Sequence, residues 1–129
     1  MGAKKILVID DDKAIHAIFR AMLTGAGHQV LSALDAMQGL MMTRQLCPDL
    51  VVLDINMPAG GGLSVYERLR ALSGTFHTPV LIYTAVALDE IRAKIPDAPD
   101  VAFLAKPASL NDIKETLARL LPDAGLGLP

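Results

Sequence analysis

Asp49-Leu50-Val51-Val52-Leu53-Asp54-Ile55-Asn56-Met57-Pro58 is the stretch on which the reading of this chain turns. Leu50 to Leu53 is an uninterrupted apolar run of strand length. Both faces of such a strand are apolar, as in a parallel sheet covered on both sides. The run stops at Asp54, which is read as the last residue of the strand. A Pro/Gly loop follows, with Ala59, Gly60, Gly61 and Gly62 after Pro58. A carboxylate between a buried strand and such a loop is a side chain delivered to a crevice.

The same pattern recurs on either side. Upstream, Lys4 to Ile9 is a second apolar run, ending in Asp10-Asp11-Asp12. After it the period changes. Ile15, Ile18, Phe19, Met22 and Leu23 fall at helical spacing, with Asp12 as N-cap and Gly25 and Gly27 as the stop. Gln29 to Ala33 is a weaker strand. Asp35 caps a second helix whose apolar stripe is read as Met37, Leu40 and Met41, closed by Pro48. Downstream of the loop a helix is expected from about Leu63, with Val65, Leu69 and Leu72 inward. A strand follows over Val80 to Thr84. A short helix over Leu88 to Ile95 comes next, stopped by Pro96. Val101 to Ala105 is the fifth strand, ending at Lys106-Pro107. Ser109 opens a last helix with Asp112 as its capping-box partner and Leu110, Ile113, Leu117 and Leu120 inward. Residues 1–121 make one domain on this reading, and Pro122 to Pro129 a frayed tail or linker remnant.

Five β segments alternating with five α segments imply an α/β fold, a parallel sheet between two helical layers. In such sheets the carboxyl ends of the strands hold the functional groups. Here those ends carry Asp10 and Asp11, Asp54, Thr84 and Lys106. Two carboxylates about 4 Å apart repel by roughly 4 kcal/mol at an effective dielectric of 20. A divalent cation relieves that repulsion. An all-oxygen donor set points to Mg²⁺, with Mn²⁺ as a substitute. A metal, an ammonium and a hydroxyl around one carboxylate are the parts that phosphoryl transfer needs, and a carboxylate nucleophile yields an acyl phosphate.

Composition narrows the class. A chain of 129 residues, 52% apolar, with net charge −2, is a globular domain without a basic nucleic-acid surface. No apolar run reaches the roughly 18 residues of a membrane span. One cysteine, Cys47, rules out an intrachain disulfide framework and fits the cytoplasm. Cys47 is read as a small buried residue. Met37, Met41 and Met42 are read as helix packing, and the scattered His16, His28 and His77 as surface or turn residues.

IDDD at 9–12, VVLDINMP at 51–58, Gly62-Leu63, Thr84-Ala85 and Lys106-Pro107 together resemble the response-regulator receiver family of two-component signalling, over about residues 4–121. That resemblance implies a five-stranded flavodoxin-like (βα)₅ sandwich of strand order 2-1-3-4-5. It implies Asp54 as phosphoacceptor, with Asp10, Asp11, Asp54 and the backbone carbonyl of Asn56 as Mg²⁺ ligands. Lys106 and Thr84 would contact the phosphoryl group, and Thr84 and Phe103 would act as switch residues. Ala85 would leave room for the adduct, and the Lys106–Pro107 bond would be cis. The partners implied are a histidine kinase or histidine phosphotransfer protein, docking on the first helix and the 106–109 loop, and a downstream target that the sequence does not name. The chain would be a signalling switch that assists its own phosphorylation and dephosphorylation. It would be cytoplasmic, with no direct nucleic-acid or membrane contact. Its oligomeric state is left open, as is whether it stands alone or belongs to a longer protein.

The sequence also departs from the family. Gly60-Gly61 replaces the usual Met-Asp, so a mobile loop is expected there. Ala98-Pro99-Asp100 replaces the usual Gly-Ala after the fourth helix, which alters the face that receivers use for output. Two alternatives stand beside the leading reading. One is a degenerate receiver that acts as a phosphorylation-independent interaction module. The other is an Asp/Mg²⁺ phosphatase of the haloacid-dehalogenase type using Asp10-x-Asp12, though no late acidic pair or substrate cap accompanies it.

Overall fold

A computed structural model describes residues 2–58 and 61–125. The apolar runs become five strands: β1 (Lys5–Ile9), β2 (Gln29–Ala33), β3 (Leu50–Leu53), β4 (Val80–Thr84) and β5 (Val101–Ala105). They form one parallel sheet of order β2-β1-β3-β4-β5. The helices are α1 (Lys13–Leu23), α2 (Ala36–Leu46), α3 (Gly61–Ala71), α4 (Leu88–Arg92) and α5 (Leu110–Leu120). No helix is long and apolar enough to cross a membrane, among the described residues.

The alternation of side chains along each strand splits the core in two. Ile6, Val8, Leu50, Val52, Leu81 and Tyr83 face α1 and α5, where they meet Phe19, Leu23, Ile113 and Leu117. Leu7, Ile9, Val51, Leu53, Ile82 and Phe103 face the other way, onto Val65, Tyr66 and Leu69 of α3 and onto Ile91 and Ile95. The three caps read from sequence are formed. Asp12, Asp35 and Ser109 accept from the N–H of Ala14, Gln38 and Asp112. At the far end of the sheet, Arg70 donates to the carbonyls of Thr78 and Asp100 at 2.7 and 3.1 Å and pairs with the Asp100 carboxylate.

Several helix faces differ from the hydropathy reading. The buried side of α2 is Gly39 and Thr43, while Met37 and Met41 are exposed. Gly39 lies so close to the Ile9 side chain that a Cβ there would collide with it. A glycine thus brings the helix onto the sheet and turns the methionines outward. In α1, His16 is buried and Ile18 is exposed; in α5, Leu110 is exposed.

His28 is buried too, not a surface residue. Its Nδ1 accepts from the Lys4 N–H at 2.9 Å, and its Nε2–H donates to the Ala124 carbonyl at 3.1 Å. Cys47 is exposed, at a left-handed position (φ 46°) that ends α2. β3 ends at Leu53, one residue before Asp54, and α4 ends at Arg92, three residues short of the expected Ile95, although the chain continues as a turn that buries Ile95. Residues Pro122–Ala124 form a 3₁₀ turn with Ala124 buried, so the expected frayed tail does not begin at Pro122; residues 126–129 lie outside the described part. α3 starts at Gly61, two residues before the expected Leu63, so of the Gly60-Gly61 pair expected in a mobile loop Gly61 is helical and Gly60 lies outside the described part.

Candidate functional site

The ladder continues one residue past the strands, and this fixes the site. The Asp10 N–H donates to the Ala33 carbonyl at 3.1 Å, the Asp54 N–H to Ile9 at 3.0 Å, and the Lys106 N–H to Thr84 at 2.9 Å. The backbones of these three candidate site residues are therefore held by sheet hydrogen bonds although their side chains lie beyond the sheet. Asp10 and Asp54 follow adjacent strands, β1 and β3, where the strand order reverses.

Both carboxylates are nearly closed off from solvent, at 1% and 5% exposure. Each takes one main-chain donor: the Asp12 N–H on Asp10 Oδ1 and the Asn56 N–H on Asp54 Oδ1, both at 2.9 Å. The remaining oxygens share one cation. Lys106 Nζ lies 2.7 Å from Asp10 Oδ2 and 3.1 Å from Asp54 Oδ2. Asp11 is exposed, and carboxylate oxygens of Asp10, Asp11 and Asp54 lie within 4.8 Å of one another. Three oxygen donors, one on the solvent side, fit a hard divalent cation.

Burial pushes the Asp10 carboxyl above its ordinary pKa, against the opposing pull of Lys106 and the Asp12 N–H. For Lys106, burial pulls the pKa down, but its bonds to Asp10 and Asp54 outweigh it and hold the ammonium charged beyond its ordinary range. The Lys106 ammonium is thus held charged between the two carboxylates.

Thr84 is fully buried at the end of β4, and its hydroxyl accepts from the Val86 N–H at 3.3 Å. That bond uses an oxygen lone pair and leaves the hydroxyl hydrogen free to donate elsewhere. Phe103 is buried in β5 beside Ile82, with the Arg92 guanidinium 5.1 Å from its ring centre. Ala85 is exposed. The Lys106–Pro107 peptide bond is cis.

The family model for the response regulator receiver domain matches residues 6–118. The chain belongs to that family. Receiver domains are the signalling domains of two-component response regulators. One relative is the DNA-binding dual master transcriptional regulator RpaA of Synechocystis sp., 40% identical over 118 residues. The match covers 90% of this chain but 47% of RpaA, so the chain spans about half of that relative. Another is the polar-differentiation response regulator DivK of Brucella anthropi, 27% identical, with 94% of this chain and 98% of DivK covered. Among solved structures, the chemotaxis protein CheY4 of Vibrio cholerae superposes with a TM-score of 0.84 at 27% identity, over 93% of this receiver domain and all of CheY4.

Two contributors to the candidate site, Tyr83 and His16, are not marked by the sequence motifs, and a third, Gly62, is marked without its contact. Tyr83 turns its hydroxyl to accept from the Ala108 N–H at 3.1 Å, and its ring centre is 5.7 Å from Lys106 Nζ. It braces the loop that carries the lysine. Its signal was a hydroxyl inside an otherwise apolar strand. His16 donates from Nε2 to the Asp10 carbonyl at 2.7 Å, while its buried Nδ1 has no partner among the described residues. Its signal was a position inside the buried stripe of α1, between Ile15 and Phe19. Gly62 lies against the Asp54 carbonyl and Ile55, where any Cβ would strike backbone. The family motif had flagged this glycine, but its contact depends on the fold.

Proposed function

We propose that this receiver domain, residues 1–121, is a phosphorylation switch in which Asp54 accepts a phosphoryl group from the phosphohistidine of a histidine kinase or phosphotransfer protein. The observation that carries this reading is the shared ammonium. Lys106 holds two buried carboxylates from adjacent strands side by side, with a third within 4.8 Å. One Asp54 oxygen attacks phosphorus. The nitrogen–phosphorus bond of the donor breaks, the acyl phosphate forms, and the imidazole leaves with the bonding pair and takes up a proton. Mg²⁺, or Mn²⁺ in its place, held by Asp10, Asp11, Asp54 and the Asn56 carbonyl, would supply charge neutralisation at the carboxylates and the phosphoryl oxygens.

The chain's own groups do the positioning. The Asn56 N–H fixes the rotation of the Asp54 carboxylate. Lys106 exchanges its Asp54 contact for a phosphoryl oxygen while keeping Asp10. The free hydrogen of the Thr84 hydroxyl donates to another phosphoryl oxygen. Thr84 pairs with Ala105, and Ile82 with Phe103, so a shift at the end of β4 is felt along β5. The adduct thereby changes the population of Phe103 positions and of the face that a downstream target reads. The same groups later assist hydrolysis of the adduct. This switch works in the cytoplasm and contacts neither nucleic acid nor membrane directly.

The phosphatase reading is disfavoured because the Asp12 side chain is used to cap α1, which leaves no Asp-x-Asp pair at the crevice. The degenerate-receiver reading is disfavoured because Asp10, Asp11, Asp54, Thr84 and Lys106 are all present, with Lys106 bridging Asp10 and Asp54. Incubation with phosphoramidate and MgCl₂, read by intact mass, tests the proposal. Wild type should gain one phosphoryl group and Asp54→Ala none. No gain in wild type, or an equal gain in Asp54→Ala, would sink it.

A further inference from the structure

The face of α2 that hydropathy assigns to the core is instead open to solvent. Met37 is 75% exposed and Met41 52% exposed, with Leu40 half-buried between them. Met37, Leu40, Met41 and Arg44 stand at i, i+3, i+4 and i+7, the spacing of a packed helix stripe. So α2 has two faces fit for packing. Gly39 and Thr43 occupy the one on the sheet. The other lines a groove against α3.

The groove is made of adjoining hollows of about 590 and 340 Å³. Its floor is apolar and narrow because Ala36 and Gly61 meet where α2 and α3 begin; a Cβ on Gly61 would collide with the Ala36 methyl. Its far end is different. Arg44 from α2 and Arg68 from α3 both line it, and both are exposed. Neither is in an ion pair among the described residues, whereas Arg70 and Arg92 both are. Two unpaired guanidinium groups at one end of a methionine-lined groove define an amphipathic complement.

We propose that the α2–α3 groove is a docking site for an amphipathic helix of a partner protein, with an apolar stripe on Met37, Leu40 and Met41 and carboxylates on Arg44 and Arg68. From Met37 to Arg44 is about 10 Å of helix, so an occupant of two to three turns covers it. Methionines suit this role because their unbranched side chains adapt to differing apolar partners. Arginine forks bind carboxylates with directional hydrogen bonds and so set the orientation of the helix. The site lies on the opposite helical layer from α1 and α5.

The test uses the six methionines as probes. Protein labelled at the methionine methyls is titrated with two synthetic helical peptides of about three turns. They share one leucine stripe and carry either two glutamates or two lysines in the last turn. The glutamate peptide should shift the Met37 and Met41 methyls and leave Met22, on α1, in place. It should bind at least tenfold more tightly than the lysine peptide, and in an Asp54→Ala background as well. The double variant Arg44→Glu/Arg68→Glu, at exposed positions, should invert that preference. Equal binding of both peptides would make the groove a nonspecific apolar patch and overturn the proposal. So would shifts that bypass Met37 and Met41. Concentration-dependent shifts of these methyls without peptide would instead assign the groove to a second copy of the chain, which also overturns it.

Discussion

Replacing Lys106 with methionine keeps most of the side-chain volume and removes only the ammonium. In the wild type that group lies 2.7 Å from one buried carboxylate and 3.1 Å from another. At an effective dielectric of 20, each contact is worth roughly 5–6 kcal/mol of gross attraction. Desolvation of the three groups opposes it. The sign of the balance follows from Lys106 itself, whose pKa stays above its ordinary value despite burial. Removing one member of a buried charge set typically costs about 3–5 kcal/mol. The lower end applies here, because the Lys106 side chain keeps 16% of its surface exposed and solvent screens part of the attraction.

We therefore expect Lys106→Met to lose about 3 kcal/mol in EDTA at neutral pH. At a urea slope of about 2 kcal/mol/M the midpoint falls by roughly 1.5 M. The loss should grow with pH above the ordinary Asp range. The folded state then binds more protons than the unfolded state, because the folded pKa of Asp10 is the raised one, and stability falls as pH rises through that window. In an Asp54→Asn background the same substitution should cost about half as much, since only Asp10 is left unpaired. A Lys106→Met variant as stable as wild type in EDTA, or a loss unchanged by Asp54→Asn, would refute the shared-cation account.

Three further substitutions probe the frame around the site. Gly62→Ala would drive a methyl into the Asp54 carbonyl and Ile55; a loss of about 3 kcal/mol by urea denaturation is expected, and a neutral effect would contradict this packing. Tyr83→Phe leaves the Ala108 N–H without its partner. It should cost about 1 kcal/mol and loosen hydrogen-exchange protection at Ala108 while β4 stays protected. Arg70→Ala removes two hydrogen bonds to carbonyls and one ion pair; about 2 kcal/mol should be lost with the rate of Asp54 modification unchanged, because this residue sits at the opposite end of the sheet.

The strands were legible because most are short apolar runs closed by a polar residue, and the candidate site was legible as a cluster because those closing residues are Asp10, Asp54, Thr84 and Lys106. A parallel sheet brings strand ends together whatever the helices do. The helix faces were less legible. Hydropathy weights Met37 and Met41 heavily and Gly39 not at all, yet close approach to Ile9 is a property of glycine's missing side chain. His16 and His28 looked like surface residues because a histidine carries no sign of its partner. Theirs are carbonyls and an N–H supplied by the turn after β1, by Lys4 just before β1 and by the 3₁₀ turn at the other end of the chain. Cys47 was misplaced for the opposite reason. Its helix-ending backbone conformation sets it at the surface, where cysteine is uncommon.

The chemical identity of residue 54 after reaction with a phosphodonor bears most directly on the central claim. The protein is incubated with phosphoramidate and MgCl₂, reduced with borohydride, and its peptides are sequenced by mass spectrometry. An acyl phosphate at Asp54 is reduced to homoserine, so homoserine at position 54 and aspartate at positions 10 and 11 is the predicted result. Homoserine at Asp10 or Asp11, or aspartate retained at all three, would contradict it.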